Sequence, residues 1–293
     1  MNYRQLYYAV ELSEICNFSQ VAEKLNITHP TLSKQILSLE NELGVKLFDR
    51  TTTPLSITPA GHHFIREAKE LLYKEDQLLR SMEDYRSGQA GRLTIGISPF
   101  RSLYLIPQVV AQIRKQFPNA QVCLHEVTSD RLRQDATEGK FDFAIVNLPV
   151  DVELMEVIPI ETDTLVLAVP ESMSSALPDQ DSISLNECGN LPFIVVGQHQ
   201  EMRQLFEKIC TAAAFVPNIA AETMGLASAW ALVSAGVGIA LLPKQFVASN
   251  SFCKGIRMYT LQNISSVRQP AIVYRKGQYL SEYAQYAISL LRE

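Results

Sequence analysis

The sequence lacks the features of an exported or membrane-spanning protein. It has no run of about 18 or more apolar residues, which excludes a span across a bilayer. Its start has no basic flank followed by an apolar stretch, so we expect no secretory signal. Cysteine is scarce, with five residues in 293 and none in a CxxC pair. This spacing argues against a disulfide framework and predicts a protein of the reducing cytoplasm. With no apolar run of spanning length, we expect no membrane partner.

Catalytic motifs are also absent. The sequence contains no GxSxG, HExxH or GxxxxGK(S/T) motif, and the GVG at 236–238 follows a predicted helix, so it is interpreted as a helix cap. Asp142 and Asp163 fit a turn or a strand edge better than a catalytic role. His62 and His63 are adjacent and point in different directions, so they do not predict a metal site. We therefore expect a protein that is not an enzyme and holds no metal or cofactor.

An excess of positive charge is missing as well. The formal net charge is −5, and residues 1–58 contain five lysines and arginines against six acidic residues. Nucleic-acid-binding domains are more often basic. Binding to DNA would therefore have to depend on where individual charges lie and on avidity between copies.

In the first sixty residues, apolar residues recur at the spacing that is typical of short helices. Residues 2–15 form the first, Ser19 is the predicted cap of the second, and Thr28 caps a third. Pro30 falls in the first turn of that helix, and Gly44 ends it. Its buried stripe consists of Leu32, Ile36, Leu39 and Leu43. Two helices joined by a tight turn, the second of them amphipathic, predict a helix-turn-helix.

Polar residues lie off this stripe at the start of the third helix. The predicted DNA-binding residues there are Thr28, His29, Pro30, Thr31, Ser33, Lys34 and Gln35. In a helix-turn-helix this segment reaches base edges, where lysine can contact guanine and glutamine can pair with adenine. A solvated surface explains the same residues equally well. Residues 46–50 and 55–58 predict two strands of a wing, with Arg50 at its base placed for a phosphate or the minor groove. Thr52 in the wing's turn completes the predicted set.

Residues 18–61 closely resemble the DNA-binding domain of LysR-type transcriptional regulators. Order and spacing match without a gap at Ala22, Pro30, Leu32, Ser33, Leu39, Glu40, Glu42, Leu43, Gly44, Leu47, Phe48, Arg50, Thr58, Pro59, Ala60 and Gly61. The family commonly has glutamine where His29 stands and often arginine where Lys34 stands, so the base preference stays open. The resemblance implies a sequence-specific regulator that binds double-stranded promoter DNA with dyad symmetry.

A long helix follows, capped by Thr58, opened by Pro59 and expected to run to about residue 86. At about 1.5 Å per residue it would span roughly 40 Å. Two seven-residue apolar tracks run along it, Ile65, Leu72 and Leu79 in one, and Phe64, Leu71, Leu78 and Tyr85 in the other. A second copy is the simplest partner for this face, and packing on its own domain is the alternative. The resemblance implies a homodimer or a dimer of dimers, and RNA polymerase is a further candidate partner.

From residue 91 onward strands and helices alternate. Strand patterns at 92–98, 121–128 and 141–146 enclose helical patterns at 103–117 and 130–138, and this βαβαβ order predicts a parallel sheet. Further strands are predicted within 157–170 and at 191–196, 239–242 and 269–274, with helices at 227–235 and 282–291. The last strand and helix are expected to return to the first lobe. This part resembles the effector domain of the same family, with landmarks at 138–145 and 235–243.

The predicted fold class is α/β. It comprises an N-terminal winged helix-turn-helix, a long linker helix and a two-lobed effector domain that resembles a periplasmic binding protein. The predicted bounds are 1–58 for the DNA-binding domain, 59–88 for the linker and dimerisation helix, and 89–293 for the effector domain. Lobe I takes about 91–162 and 266–293, and lobe II takes about 163–265.

Strand ends predict where a ligand binds, since sites in open α/β sheets lie beyond the carboxyl ends of the strands. Several helices begin there, so their N–H groups and positive dipole ends favour an anion such as a carboxylate. The predicted effector-binding residues are Ser98, Pro99, Phe100, Arg101, Thr128, Ser129, Asn147, Gly197, Gln198, Met202 and Thr223. For Ser98, Thr128 and Ser129, simple capping of helices is the alternative role.

These features favour a DNA-binding transcriptional regulator whose activity is modulated by a small-molecule effector. A solute-binding protein of a transporter would explain two lobes but leaves residues 1–60 without a role. A cytoplasmic α/β enzyme with a helical appendage would need a catalytic constellation, which the sequence does not show. Binding to the DNA that flanks its own gene separates the first hypothesis from the other two.

Overall fold

A computed structural model describes residues 1–52, 54–87, 91–249, 255–262 and 267–292. The chain divides into two compact units, Met1–Arg86 and Ser87–Glu293. The predicted boundaries at 88/89 and 265/266, like Cys253, lie outside the described residues. Within the described ranges, no helix is both long and apolar enough to cross a membrane.

The first unit contains the predicted helix-turn-helix. Its elements are α1 (Tyr3–Ile15), α2 (Phe18–Lys24), α3 (His29–Leu43), β1 (Phe48–Asp49), β2 (Ser56–Ile57) and α4 (Pro59–Ser87). Thr28 caps α3 as predicted, because its hydroxyl accepts the amide hydrogen of Thr31. Gly44 ends the helix with a φ of 70°, a left-handed conformation that glycine adopts without steric cost. The strands β1 and β2 pair antiparallel and form the predicted wing.

Two predictions for this unit were wrong in detail. Asn17 rather than Ser19 caps α2, since the Asn17 side chain accepts the amide hydrogens of Ser19 and Gln20 at 2.9 and 3.1 Å. Leu32, Ile36 and Leu39 are fully buried, whereas Leu43 is 37% exposed. The last turn of α3 passes beyond the helices that cover it, and residues 41–46 are all exposed.

The long helix α4 has a divided apolar surface. Thr58 caps it as predicted, with its hydroxyl accepting the Gly61 amide at 2.9 Å. Ile65 and Ala68 are buried in the core of the first unit, so the predicted track through Ile65 packs at its start on its own domain. Phe64 and Leu72 are half-buried against the same core. The large apolar residues that are exposed along the described part of α4 are Leu71, Leu78, Leu79, Met82 and Tyr85.

The second unit alternates strands and helices. Its strands are β3 (Arg92–Ile97), β4 (Gln121–Glu126), β5 (Phe143–Asn147), β6 (Met155–Pro159), β7 (Asp163–Pro170), β8 (Ser182–Ile183), β9 (Pro192–Val196), β10 (Asn218–Thr223), β11 (Ala240–Pro243), β12 (Ile256–Leu261), β13 (Val267–Arg268) and β14 (Pro270–Arg275). Its helices are α5 (Pro99–Gln116), α6 (Ser129–Thr137), α7 (Glu171–Ser174), α8 (Glu201–Ala212), α9 (Leu226–Ser234), α10 (Lys244–Ser249) and α11 (Glu282–Leu290), with a short 3-10 helix at Leu185–Cys188.

The first sheet has the strand order β4–β3–β5–β14–β6. Strand β3 pairs parallel with both β4 and β5, which confirms the parallel sheet predicted from the βαβαβ order. Strand β14 returns to this sheet and pairs antiparallel with β5 and β6. Apolar residues of β3 pack between α5 and α11 on one face. Helix α5 begins at Pro99 rather than near residue 103, because Ser98 takes the extended cap conformation and proline fits the first helical turn.

The second sheet has the order β11–β7–β12–β8, with β13 also paired to β7 and with β9 and β10 forming a separate parallel pair. Strands β10 and β12 were not predicted. The chain passes between the two sheets twice, before β7 and after β13. These passages lie side by side, since Arg268 of β13 pairs antiparallel with Asp163 of β7.

Candidate functional site

The predicted DNA-binding residues of α3 occupy its cap and first two turns. Thr28, His29, Pro30, Thr31 and Lys34 are exposed, whereas Ser33 and Gln35 are half-buried. In the wing, the Thr52 hydroxyl bonds to the Ser56 hydroxyl at 2.9 Å and closes the turn. The start of α3 therefore presents a polar surface to solvent with a short wing beside it.

A buried carboxylate joins this helix to the wing. Glu40 of α3 is 7% exposed, and its Oε1 accepts the amide hydrogens of Leu47 and Phe48 at 2.8 and 3.1 Å. Its Oε2 accepts from Arg50 Nη2 at 3.0 Å, and Arg50 Nη1 donates to the Ser33 hydroxyl at 3.3 Å. Arg50 is therefore held against α3 rather than free at the wing's base. Sequence reasoning noted Glu40 only as a matched position and gave it no role.

An aromatic ring links the wing arginine to the start of α3. The Arg50 guanidinium lies 5.2 Å from the centroid of the Phe18 ring, within range of a cation–π contact. The His29 ring lies 5.6 Å from the same ring. Phe18 was missed because helical spacing marks it only as the first residue of a short helix. The contacts of Phe18 and Glu40 fix the positions of two predicted DNA-binding side chains.

The second unit contains a cavity of about 460 Å³ at the carboxyl ends of β3, β4 and β5. Eight of the predicted effector-binding residues line it, namely Ser98, Pro99, Phe100, Arg101, Thr128, Ser129, Asn147 and Met202. Gly197, Gln198 and Thr223 are not in its wall, and their chain neighbours His199 and Met224 are. Sequence reasoning missed Tyr104, Glu126, Gln200, Glu201, Leu226 and Arg268 of the wall.

The cavity floor is a network of buried ionic groups. Asp163 is 1% exposed and accepts a close hydrogen bond from Arg268 Nη2, with Arg101 Nη2 at 3.7 Å from the same oxygen. Arg101 also donates to Asn147 Oδ1 at 2.8 Å, and Asn147 Nδ2 donates to Glu201 Oε1 at 3.0 Å. Burial lowers the pKa of the Arg268 guanidinium, while the nearby Asp163 carboxylate acts in the opposite direction. The network joins β5 of the first sheet to α8, which packs with the second.

Two hydroxyl groups at helix starts face this cavity. Ser98 and Thr128 take the extended cap conformation before α5 and α6, yet neither side chain makes a capping hydrogen bond. The alternative role proposed for them, side-chain capping, is therefore not what these hydroxyls do. Both line the cavity beside helix amino-termini, whose N–H groups and dipoles favour negative charge.

The described residues contain no group of three or more His, Cys, Asp or Glu that could hold a metal.

Two family models together cover most of the chain. Residues 3–62 match the bacterial regulatory helix-turn-helix protein of the lysR family, and residues 86–293 match the LysR substrate binding domain. The chain belongs to the LysR family of bacterial transcriptional regulators. Its helix-turn-helix is thus the family's DNA-binding domain, and its second unit is the effector-binding domain.

Relatives and solved structures agree with this assignment. The uncharacterized regulator YcgK of Bacillus subtilis is 29% identical over 100% of this chain and 94% of its own length. The hydrogen peroxide-inducible genes activator of Haemophilus influenzae is 30% identical over 94% of this chain and 91% of its own. A full-length OxyR variant from Pseudomonas aeruginosa shares the fold, with a TM-score of 0.69, 22% identity and coverage of 100% and 93%. CbnR in complex with its target DNA has a TM-score of 0.62, 21% identity and coverage of 100% and 99%.

The buried carboxylate of Glu40 gives a direct test of how the wing is held in this LysR-family regulator. Glu40→Gln keeps the side-chain size but leaves Arg50 without an ionic partner and removes one acceptor oxygen. We expect the first unit to lose about 1.5–3 kcal/mol of unfolding free energy, measured by urea denaturation with circular dichroism.

The matched control is Glu42→Gln on the same helix, whose side chain is 53% exposed and which should change stability little. Equal stability of Glu40→Gln and Glu42→Gln would show that the wing does not depend on the buried carboxylate.

Proposed function

We propose that residues 1–58 bind a promoter through the start of α3 and through the wing. The observation that carries this proposal is the exposed polar surface of the first two turns of α3, held against the wing by Glu40 and Arg50. Lys34 and Gln35 are the side chains suited to base edges in the major groove. Arg50 positions Ser33 and the wing, and the exposed part of its guanidinium is available to a phosphate.

Residues 59–88 serve as the dimerisation helix in this proposal. Leu71, Leu78 and Tyr85 recur every seven residues on α4 and are exposed, with Leu79 beside them. A second copy of the same helix would cover this face, as in a coiled coil. A dimer, or a dimer of dimers, supplies paired reading helices for a site with dyad symmetry and offsets the lack of net positive charge. A regulator of bacterial promoters works beside the chromosome, so the proposal includes a cytoplasmic location.

Residues 89–293 bind the effector, and we assign the site to the cavity of the second unit. Its ligand carries a carboxylate that contacts the hydroxyls of Ser98 and Thr128. Three features support this: both hydroxyls lack a capping bond, both stand at helix amino-termini, and both line the same wall. The floor contains the two passages between the sheets, so a ligand bound there can change how the lobes close. The proposal assigns no chemical reaction to this cavity.

DNA reading by α3 can be tested with a gel-shift assay on the DNA that flanks the protein's own gene. Two copies should bind a duplex with dyad symmetry, and a half-site should bind far more weakly. Lys34→Ala and Gln35→Ala should each reduce discrimination against random DNA, since a lost bidentate base contact costs about 1–3 kcal/mol.

Ser38→Ala provides the control, because Ser38 is an exposed residue in the second half of the same helix. If Lys34→Ala and Gln35→Ala discriminate as well as Ser38→Ala does, the start of α3 does not read the bases.

The effector role of the cavity has a separate test. A thermal-shift screen of small carboxylic and amino acids identifies a compound that stabilises the full chain, and its effect on DNA affinity is then measured. The double variant Ser98→Ala/Thr128→Val should lose this response, because it removes both hydroxyl donors while leaving ligand-free DNA binding within about twofold.

Ser172→Ala removes an exposed hydroxyl away from the cavity wall and should respond as the wild type does. A normal response from the double variant would place the effector elsewhere.

A further inference from the structure

The cavity has a charge balance that a simple anion does not satisfy. Its wall contains the guanidiniums of Arg101 and Arg268 and the carboxylates of Glu126, Asp130 and Glu201. Both arginines already share the carboxylate of Asp163 beneath the floor. Asp130 is already paired with Arg133 at 2.8 Å, so it lies outside this balance. Two positive groups therefore stand against three negative ones, Asp163, Glu126 and Glu201.

The other two carboxylates of this balance, Glu126 and Glu201, line the same cavity as the proposed contact point for a ligand carboxylate. Glu126 ends β4, two residues before Thr128, and accepts a close hydrogen bond from the Ser102 hydroxyl of α5. Glu201 opens α8, and one of its oxygens is held by Asn147 at 3.0 Å. A ligand with only a carboxylate would add a negative charge near the carboxylates of the exposed Glu126 and the half-buried Glu201, and like charges repel. A ligand with only an amine would leave the Ser98 and Thr128 hydroxyls and the helix amino-termini without an acceptor.

Apolar side chains form much of the remaining wall. Phe100, Leu103, Val127, Met202, Met224 and Leu226 contribute to it. Methionine side chains adapt to irregular ligand shapes, and the cavity volume of about 460 Å³ is within the usual range for small-molecule sites. The wall therefore accommodates an apolar group of moderate size attached to a charged head.

We propose that the effector of this regulator is a zwitterionic α-amino acid with an apolar side chain, an inference that rests on the proposed effector role of the cavity. Its carboxylate contacts Ser98 and Thr128 at the starts of α5 and α6. Its ammonium group donates to Glu126 and Glu201. Its side chain packs on Phe100, Met202 and Leu226. A zwitterion adds no net charge to the cavity, so both sets of polar groups are satisfied at once.

The test compares matched ligands on the full chain by isothermal titration calorimetry. The probes are L-leucine, L-methionine and L-phenylalanine, each with its deaminated acid (4-methylpentanoate, 4-methylthiobutanoate, 3-phenylpropanoate) and its decarboxylated amine. At least one amino acid should bind about tenfold more tightly than both of its matched partners, because it alone engages both sets of polar groups. An acid that binds as tightly as its amino acid would overturn the inference while leaving the proposed effector site intact. The inference would also be overturned if none of these probes bound. The proposed effector role of the cavity would then still be tested separately, by the response of DNA affinity described above.

Charge-removing variants assign the ammonium contacts. Glu126→Gln and Glu201→Gln keep the side-chain size, and glutamine at 201 can still accept from Asn147. Each should weaken binding of the amino acid by about tenfold and leave the matched acid unchanged or tighter, since only the ammonium loses a partner. Glu153→Gln, an exposed residue outside the cavity wall, should leave both affinities unchanged. Equal losses for the amino acid and its acid would contradict the assignment of these carboxylates to the ammonium.

Discussion

The carboxylate of Asp163 is almost fully removed from solvent and contacts the guanidiniums of both Arg101 and Arg268. The three residues come from β7, α5 and β13, elements that are far apart in the chain. Removing one partner of a buried ion pair costs about 3–5 kcal/mol, because the remaining charge has no compensation. Asp163 therefore holds together the cavity floor, the start of the helix that carries Arg101, and the two passages between the sheets.

In the proposed effector site, the floor of the cavity is where a bound ligand would act on lobe closure. The Asn147–Glu201 hydrogen bond extends the network from β5 to α8. A ligand that contacts these groups can favour one arrangement of the lobes over another only if it binds the two with different affinity. A coupling of about 1–3 kcal/mol to DNA binding is ordinary for such switches. In the DNA-binding unit a buried carboxylate has a similar role, since Glu40 fixes the wing through two backbone amides and Arg50.

Local signals in the sequence were sufficient for the helix-turn-helix, because Thr28, Pro30 and Gly44 mark the ends of α3 by chemistry that acts within a few residues. The parallel sheet followed from the order of its elements. Partners that are distant in the chain could not be predicted. Arg268 joins Arg101 and Asp163 only through the pairing of β13 with β7. No sequence pattern near Arg268 indicates this pairing. Glu126 was missed because the strand was predicted to run to residue 128, so the site was placed at Thr128 and not at the earlier residue. The division of α4 between its own core and an exposed face depends on which of its residues pack into the core of the first unit, which periodicity alone does not specify.

The most direct measurement is the unfolding free energy of Asp163→Asn in the full chain, obtained from urea denaturation. Asparagine keeps the shape but leaves two buried guanidiniums without their carboxylate. The second unit should lose about 3–5 kcal/mol relative to the wild type. Asp130→Asn, whose side chain is 78% exposed, should lose almost nothing. If Asp163→Asn unfolds at the same urea concentration as Asp130→Asn, the cavity floor does not depend on this carboxylate and the account is wrong.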